Sequence, residues 1–116
     1  METLLLDRQR VDEIRRIEQV TGRNDMLVWL VGKLEENVAA FRAAFVEHVA
    51  RGDASGAVRA AHTLKGTCRQ LGAQALGDLF ADIERFAKDG DYAEAERKFD
   101  GGARLIEESL TALKQA

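Results

Sequence analysis

The sequence predicts an all-α protein, and three observations carry that expectation. Proline is absent from the 116 residues. Ala, Leu, Glu and Arg, all good helix formers, dominate. Apolar residues recur at three- and four-residue spacing along most of the chain, while strand-like alternation is hard to find. The length suits one domain over residues 1–116, with a real core and no room for a separate catalytic domain. A formal net charge of −3, with the basic residues dispersed, argues against a nucleic-acid footprint. The longest apolar run, Met26 to Val31, falls far short of the roughly 20 residues that span a bilayer, so no membrane partner is expected. Cys68 stands alone and can form neither an intramolecular disulfide nor a multi-cysteine metal site. With no secretory h-region to be found, a reducing cytoplasm is the expected location.

Each element follows from its stripe and its stops. Leu4-Leu5-Leu6 leads into Asp7 as N-cap, and Val11, Ile14 and Ile17 carry a short first helix to Thr21-Gly22. Asn24 is the expected cap of a long second helix with Leu27, Leu30, Leu34, Val38, Phe41 and Phe45 as its stripe, ending near Arg51-Gly52. Its start is apolar on nearly every side, and the first helix is expected to fold over Trp29 and its neighbours. Asp53 caps a third helix bearing Ala57, Ala61, Leu64, Cys68 and Leu71, closed by Gly72. A fourth carries Leu76, Leu79, Phe80, Ile83 and Ala87 to Asp89-Gly90. Asp91 caps the last, with Glu94 at the capping-box position and Phe99, Ala103, Ile106, Leu110 and Leu113 as its stripe, open to a kink at Gly101-Gly102. The repeated Gly-Asp turns at 52–53 and 90–91 are short, which makes sequential helices antiparallel neighbours. The expected architecture is an up-and-down four-helix bundle with a short N-terminal helix in front.

The stretch AHTLKGTCRQLG, residues 61–72, concentrates the chemistry. With Leu64 as zero on a wheel of about 100° per residue, the core residues fall within roughly 60°, while His62 lies at about 160°, Arg69 at about 140°, Gly66 at about 200° and Lys65 at about 100°. The imidazole is therefore aimed away from the core. Glycine inside a helix costs about 1 kcal/mol relative to alanine. One turn from His62, Gly66 would open space for a bulky group to reach the ring. Lys65 and Arg69 add two cations on that side. A nitrogen nucleophile, room for a tetrahedral group and nearby positive charge are what a phosphohistidine site needs. If the chain reverses near Gly72-Ala73, the residue level with His62 falls near Glu84, whose carboxylate could hold the Nδ1–H and leave Nε2 as the nucleophile. His48, near the end of the second helix's stripe, reads as a structural ring. Cys68, on the core side, reads as a small hydrophobe. No metal site follows from His62 and Cys68, which face apart.

Ala61-His62-Thr63-Leu64-Lys65-Gly66, followed by Leu71-Gly72 and preceded by Gly52-Asp53, resembles the core of the histidine-containing phosphotransfer (HPt) domain family of two-component signalling. The resemblance extends over nearly the whole chain. It implies that His62 accepts a phosphoryl group from a receiver-domain aspartate and passes it to another receiver. Lys65 would stabilise the phosphate, Gly66 would keep the ring accessible and Glu84 would orient it. The implied partners are response-regulator receiver domains and hybrid histidine kinases, with no cofactor on this chain, Mg²⁺ on the receiver, and a monomeric carrier. Many members continue with Ser-Ala-Ala-Asn where this chain has Thr67-Cys68-Arg69-Gln70, so Arg69 is the departure that could tune partner choice. The starting Met1 and the ending near Ala116 fit a free-standing shuttle. The alternative is a helical adaptor that binds the same partners without transfer. A kinase would need an ATP-binding domain, and a di-metal oxidase would need paired Glu-x-x-His motifs that neither histidine provides.

Overall fold

The computed structural model describes residues 5–116, and among them the chain is helical throughout, with no strand. The helices are α1 (Arg8–Thr21), α2 (Met26–Ala50), α3 (Ala54–Leu71), α4 (Gln74–Lys88), α5 (Tyr92–Gly101) and α6 (Ala103–Lys114). Leu4, part of the expected lead-in, lies outside the described residues. Asp7 caps α1 by accepting from the Gln9 and Arg10 amides, and Asp53 and Asp91 accept from Gly56 and Glu94 in the same way. At Glu94 only half of the capping box forms, because the Glu94 carboxylate turns to Arg97 instead of back to the cap.

Three helices stop by one device. Past Ala50, Leu71 and Lys88 the chain enters the left-handed region at Gly52, Gly72 and Gly90. The next amide then reaches back five residues, from Asp53 to His48, Ala73 to Cys68 and Asp91 to Phe86. Each turn satisfies otherwise orphaned carbonyls and reverses the chain. Hence α3 and α4 form an antiparallel hairpin, visible in the pairing of His62 with Glu84 and of Arg69 with Asp78. On the other side of α3 packs α2, and α5 lies along α4. Phe41 of α2 meets Phe80 of α4 edge-on at 5.3 Å and Phe99 of α5 at 5.1 Å, so one aromatic cluster joins three helices.

The start of α2 departs from expectation in two ways. Its N-cap position is Asp25, which makes no side-chain cap. The capping oxygen comes from another helix: Glu18 of α1, itself buried, accepts the Leu27 amide at 2.9 Å and is flanked by Arg15 at 2.9 Å. A carboxylate there meets the positive end of the helix dipole, so Asn24 is not needed. These contacts hold the Glu18 carboxyl below its ordinary value, the Leu27 amide contributing most and Arg15 next. This docking turns Leu27 and Val31 inward and leaves Val28 and Trp29 outside, Trp29 at 58% exposure under Lys33. The first helix does not cover Trp29, and Val31, not Leu30, completes the buried stripe.

The last expected helix is divided. Gly102 lies so close to Leu79 that a β-carbon would come 2.6 Å from its methyl, and α6 begins anew at Ala103, which is exposed. Ala95, Leu110 and Leu113 are buried, and Phe99 and Ile106 pack against the core from partly buried positions. Arg15 also bonds the Ala116 carbonyl, which ties the end of the chain to α1.

His48 is half-buried and donates from Nδ1 to Asp53 at 3.0 Å across the α2–α3 turn. Cys68 is buried, and desolvation pushes its thiol up to about 12. Both readings of these residues as structural are met by these positions.

Two stability changes follow. Gly72 has φ +83°, and a β-carbon on it would lie 2.9 Å from the Asp7 carbonyl oxygen, a backbone atom that cannot step aside. Gly72→Ala should cost about 1–3 kcal/mol, read as a lower denaturation midpoint. The Ser109 hydroxyl is buried with no hydrogen-bond partner among the described residues. Ser109→Ala should therefore stabilise the fold by about 1 kcal/mol in the same assay.

Candidate functional site

The hairpin brings a ring and a carboxylate together. On α3, Ala57, Ala61, Leu64, Cys68 and Leu71 face the core, which turns His62 outward with 64% of its side chain exposed. On α4, Glu84 sits beside the buried Phe80, Ile83 and Ala87, and its side chain is only 5% exposed. Its Oε2 lies 2.7 Å from His62 Nδ1, and its Oε1 lies 2.5 Å from Lys65 Nζ. Lys88, one turn on along α4, approaches Oε2 at 3.5 Å.

A buried carboxylate is expensive unless paired. Desolvation pushes the Glu84 carboxyl up, but the hydrogen bonds from Lys65 and His62 and the charges of Lys65 and Lys88 outweigh it, so the net direction is below the ordinary 4.5. Glu84 is thus an ionised acceptor. The proton in its bond to His62 must sit on Nδ1, which in a neutral ring leaves the lone pair on Nε2. Nothing among the described residues bonds Nε2, and the ring borders an open depression of about 520 Å³.

Of the other residues singled out, Gly66 has open space where its side chain would be: a β-carbon would meet nothing within 4 Å. No packing among the described residues requires glycine there. Lys65 is engaged with Glu84 and mostly covered, its side chain 21% exposed. Arg69 is not gathered to the ring. It pairs with Asp78 at 3.5 Å and borders a separate depression with Asp7 and Gly72, about 10.5 Å farther along the axis. The reason is the hairpin register: as Glu84 is level with His62, Asp78 is level with Arg69. Sequence reasoning missed Lys88 and Arg59, both of which border the His62 depression. The i,i+4 spacing of Glu84 and Lys88, and of Ser55 and Arg59, was the available signal.

The helical bundle thus holds one solvent-facing imidazole against a buried carboxylate. A family model described as Hpt domain matches residues 25–116, and the chain belongs to that family. Domains of this family are histidine phosphotransfer carriers of phosphorelays, not kinases, and they interact with response-regulator receiver domains. No curated protein and no solved structure matches the chain. No helix among the described residues is long and apolar enough to cross a membrane.

The Glu84 cluster carries a pH dependence. A carboxyl depressed in the folded state contributes stability that is full above its unfolded value and is lost as pH falls through the folded one. Glu84→Gln should therefore lower the melting temperature near neutral pH, and the gap to the unsubstituted chain should close below about pH 4. A gap that stays constant down to acid pH would assign the loss to packing alone.

Proposed function

We propose that the chain is a histidine phosphotransfer protein in which His62 takes a phosphoryl group from the aspartyl phosphate of one receiver domain and gives it to the aspartate of another. The reading rests on one observation above the rest: an exposed ring whose Nδ1 is held at 2.7 Å by a buried, ionised carboxylate. Nε2 attacks phosphorus in line. The new N–P bond forms as the P–O bond to the receiver's aspartate breaks, and that carboxylate leaves with the electron pair. The ring gains positive charge in this step while Nδ1 keeps its proton, so the Glu84 carboxylate stabilises the developing imidazolium. Transfer onward is the reverse reaction with a second receiver. Mg²⁺ belongs to the receiver in this scheme, and this chain supplies no metal or cofactor of its own.

The four rods α2, α3, α4 and α5–α6 form an antiparallel up-and-down bundle with α1 in front, and the carrier works as a cytoplasmic monomer that also docks hybrid histidine kinases. Gly66 leaves clear the surface where a receiver would approach. His62→Gln should leave the far-UV circular dichroism unchanged and lower the melting temperature only modestly, since an exposed glutamine amide can still donate to Glu84 and Lys65 and Lys88 remain on it, and it should abolish transfer of labelled phosphate from a phosphorylated receiver. Label retained in that variant would remove His62 as the acceptor.

A further inference from the structure

We infer that Arg59 is the side chain that meets the phosphoryl group once it is on His62, an inference that rests on the carrier reading above. Arg59 lies three residues before His62, on the same face of α3 and one turn nearer its N-terminus. Helical side chains lean toward the N-terminus, so the patch covered by the imidazole is the turn that holds Val58 and Arg59. With Nδ1 held back by Glu84, Nε2 is left for the depression that Ser55, Arg59, Lys88 and Tyr92 border.

The state of the neighbouring cations decides among them. Lys65 is bonded to Glu84 at 2.5 Å, Lys88 stands 3.5 Å from the same carboxylate, and Arg69 is drawn away to Asp78. Arg59 is exposed and forms no close ion pair among the described residues; its one hydrogen bond there goes to the neutral Ser55 hydroxyl at 3.1 Å, and the nearby Asp53 carboxyl, held below its ordinary value first by the Gly56 amide and His48, feels the Arg59 charge least. Moving Arg59 onto an incoming dianion breaks one neutral hydrogen bond and weakens an attraction to the exposed Asp53. Moving Lys65 there would strip a buried carboxylate of its nearest charge. Around the ring Arg59, Lys65 and Lys88 face the single carboxylate Glu84, an excess of positive charge that a phosphoryl dianion would balance. Guanidinium also offers the planar fork that binds two phosphate oxygens at once, which an ammonium does not. Lys65 is then a positioning residue acting through Glu84, and Arg59 is the contact to the transferred group.

Phosphoramidate, a small donor, tests this without a partner domain. The P–N bond to ammonia breaks as the P–Nε2 bond forms, and ammonia leaves with the protons already on its nitrogen. Occupancy of His62 at equilibrium against excess ammonia, read by ³¹P resonance, is compared for the unsubstituted chain, Arg59→Gln, Arg59→Lys, Lys65→Gln and His62→Gln, with melting curves alongside. The expected result is a fall of roughly three- to tenfold in the equilibrium constant for Arg59→Gln, only partly recovered in Arg59→Lys, which restores the charge but not the fork, with melting unchanged in both. An Arg59→Gln constant within about twofold of the unsubstituted chain, with the loss appearing in Lys65→Gln, would overturn the assignment and make Lys65 the phosphate partner. Failure of the carrier reading looks different: the unsubstituted chain takes up no phosphoryl group, or His62→Gln takes up as much.

Discussion

The arrangement around His62 depends on one buried negative charge. Glu84 stands on the core side of α4, where an unpaired carboxylate would be unstable, and it persists because the ring, Lys65 and Lys88 converge on it. The convergence works in both directions. The carboxylate sets which ring nitrogen carries the proton, and the ring and lysines keep the carboxylate ionised despite its burial. The ring and Lys65 lie on one helix and Glu84 and Lys88 on the next: His62 and Glu84 are brought level by the α3–α4 hairpin, and the hairpin turns at Gly72, whose carbonyl also receives the Asp7 amide at 2.7 Å. The turn that sets the register thus also anchors the segment leading into α1.

The third helix divides its work by face. Its small inward residues, Ala57, Ala61 and Cys68, allow α2 and α4 to approach closely, while Leu64 and Leu71 fill the space between. The outward face carries His62, exposed but held through Nδ1, and the exposed Arg59, and Gly66 leaves the surface beside the ring bare. Rigidity lies on one side and accessibility on the other, which suits the proposed carrier, whose ring would be held in one orientation yet be reached by a separate protein. The matched family region begins at residue 25, so α1 lies ahead of it. In this chain α1 is joined to the rest through Glu18 at the start of α2 and through Arg15 at the chain's last carbonyl.

Much of this was legible in the residues. Capping aspartates, glycine stops and 3.6-residue stripes located the helices to within a residue or two, because those signals act over one turn and need no partner. The outward aim of His62 and the level position of Glu84 followed from the same local geometry. What was misread involved contacts between helices. Asn24 looked like a cap because nothing in the local pattern shows that Glu18 arrives from α1. Trp29 looked buried because apolar character does not say which side a neighbour will occupy. For Lys65 and Arg69 a wheel shows direction and not occupancy: it places both cations on the ring's side and cannot show that Lys65 bonds Glu84 and Arg69 pairs with Asp78, and Arg59 was passed over for the same reason.

By itself the sequence determined the helical class, the helix ends, the outward histidine and the chemistry that a ring, a cleared flank and nearby cations permit. These are consequences of backbone propensity and of spacing along one helix. Tertiary structure alone decided which charges are spent on close ion pairs: Lys65 and Lys88 on Glu84, Arg69 on Asp78, with Arg59 bonded to a neutral hydroxyl. Charge pairing depends on distances of a few ångströms between different helices, and those distances exist only once the hairpin has closed.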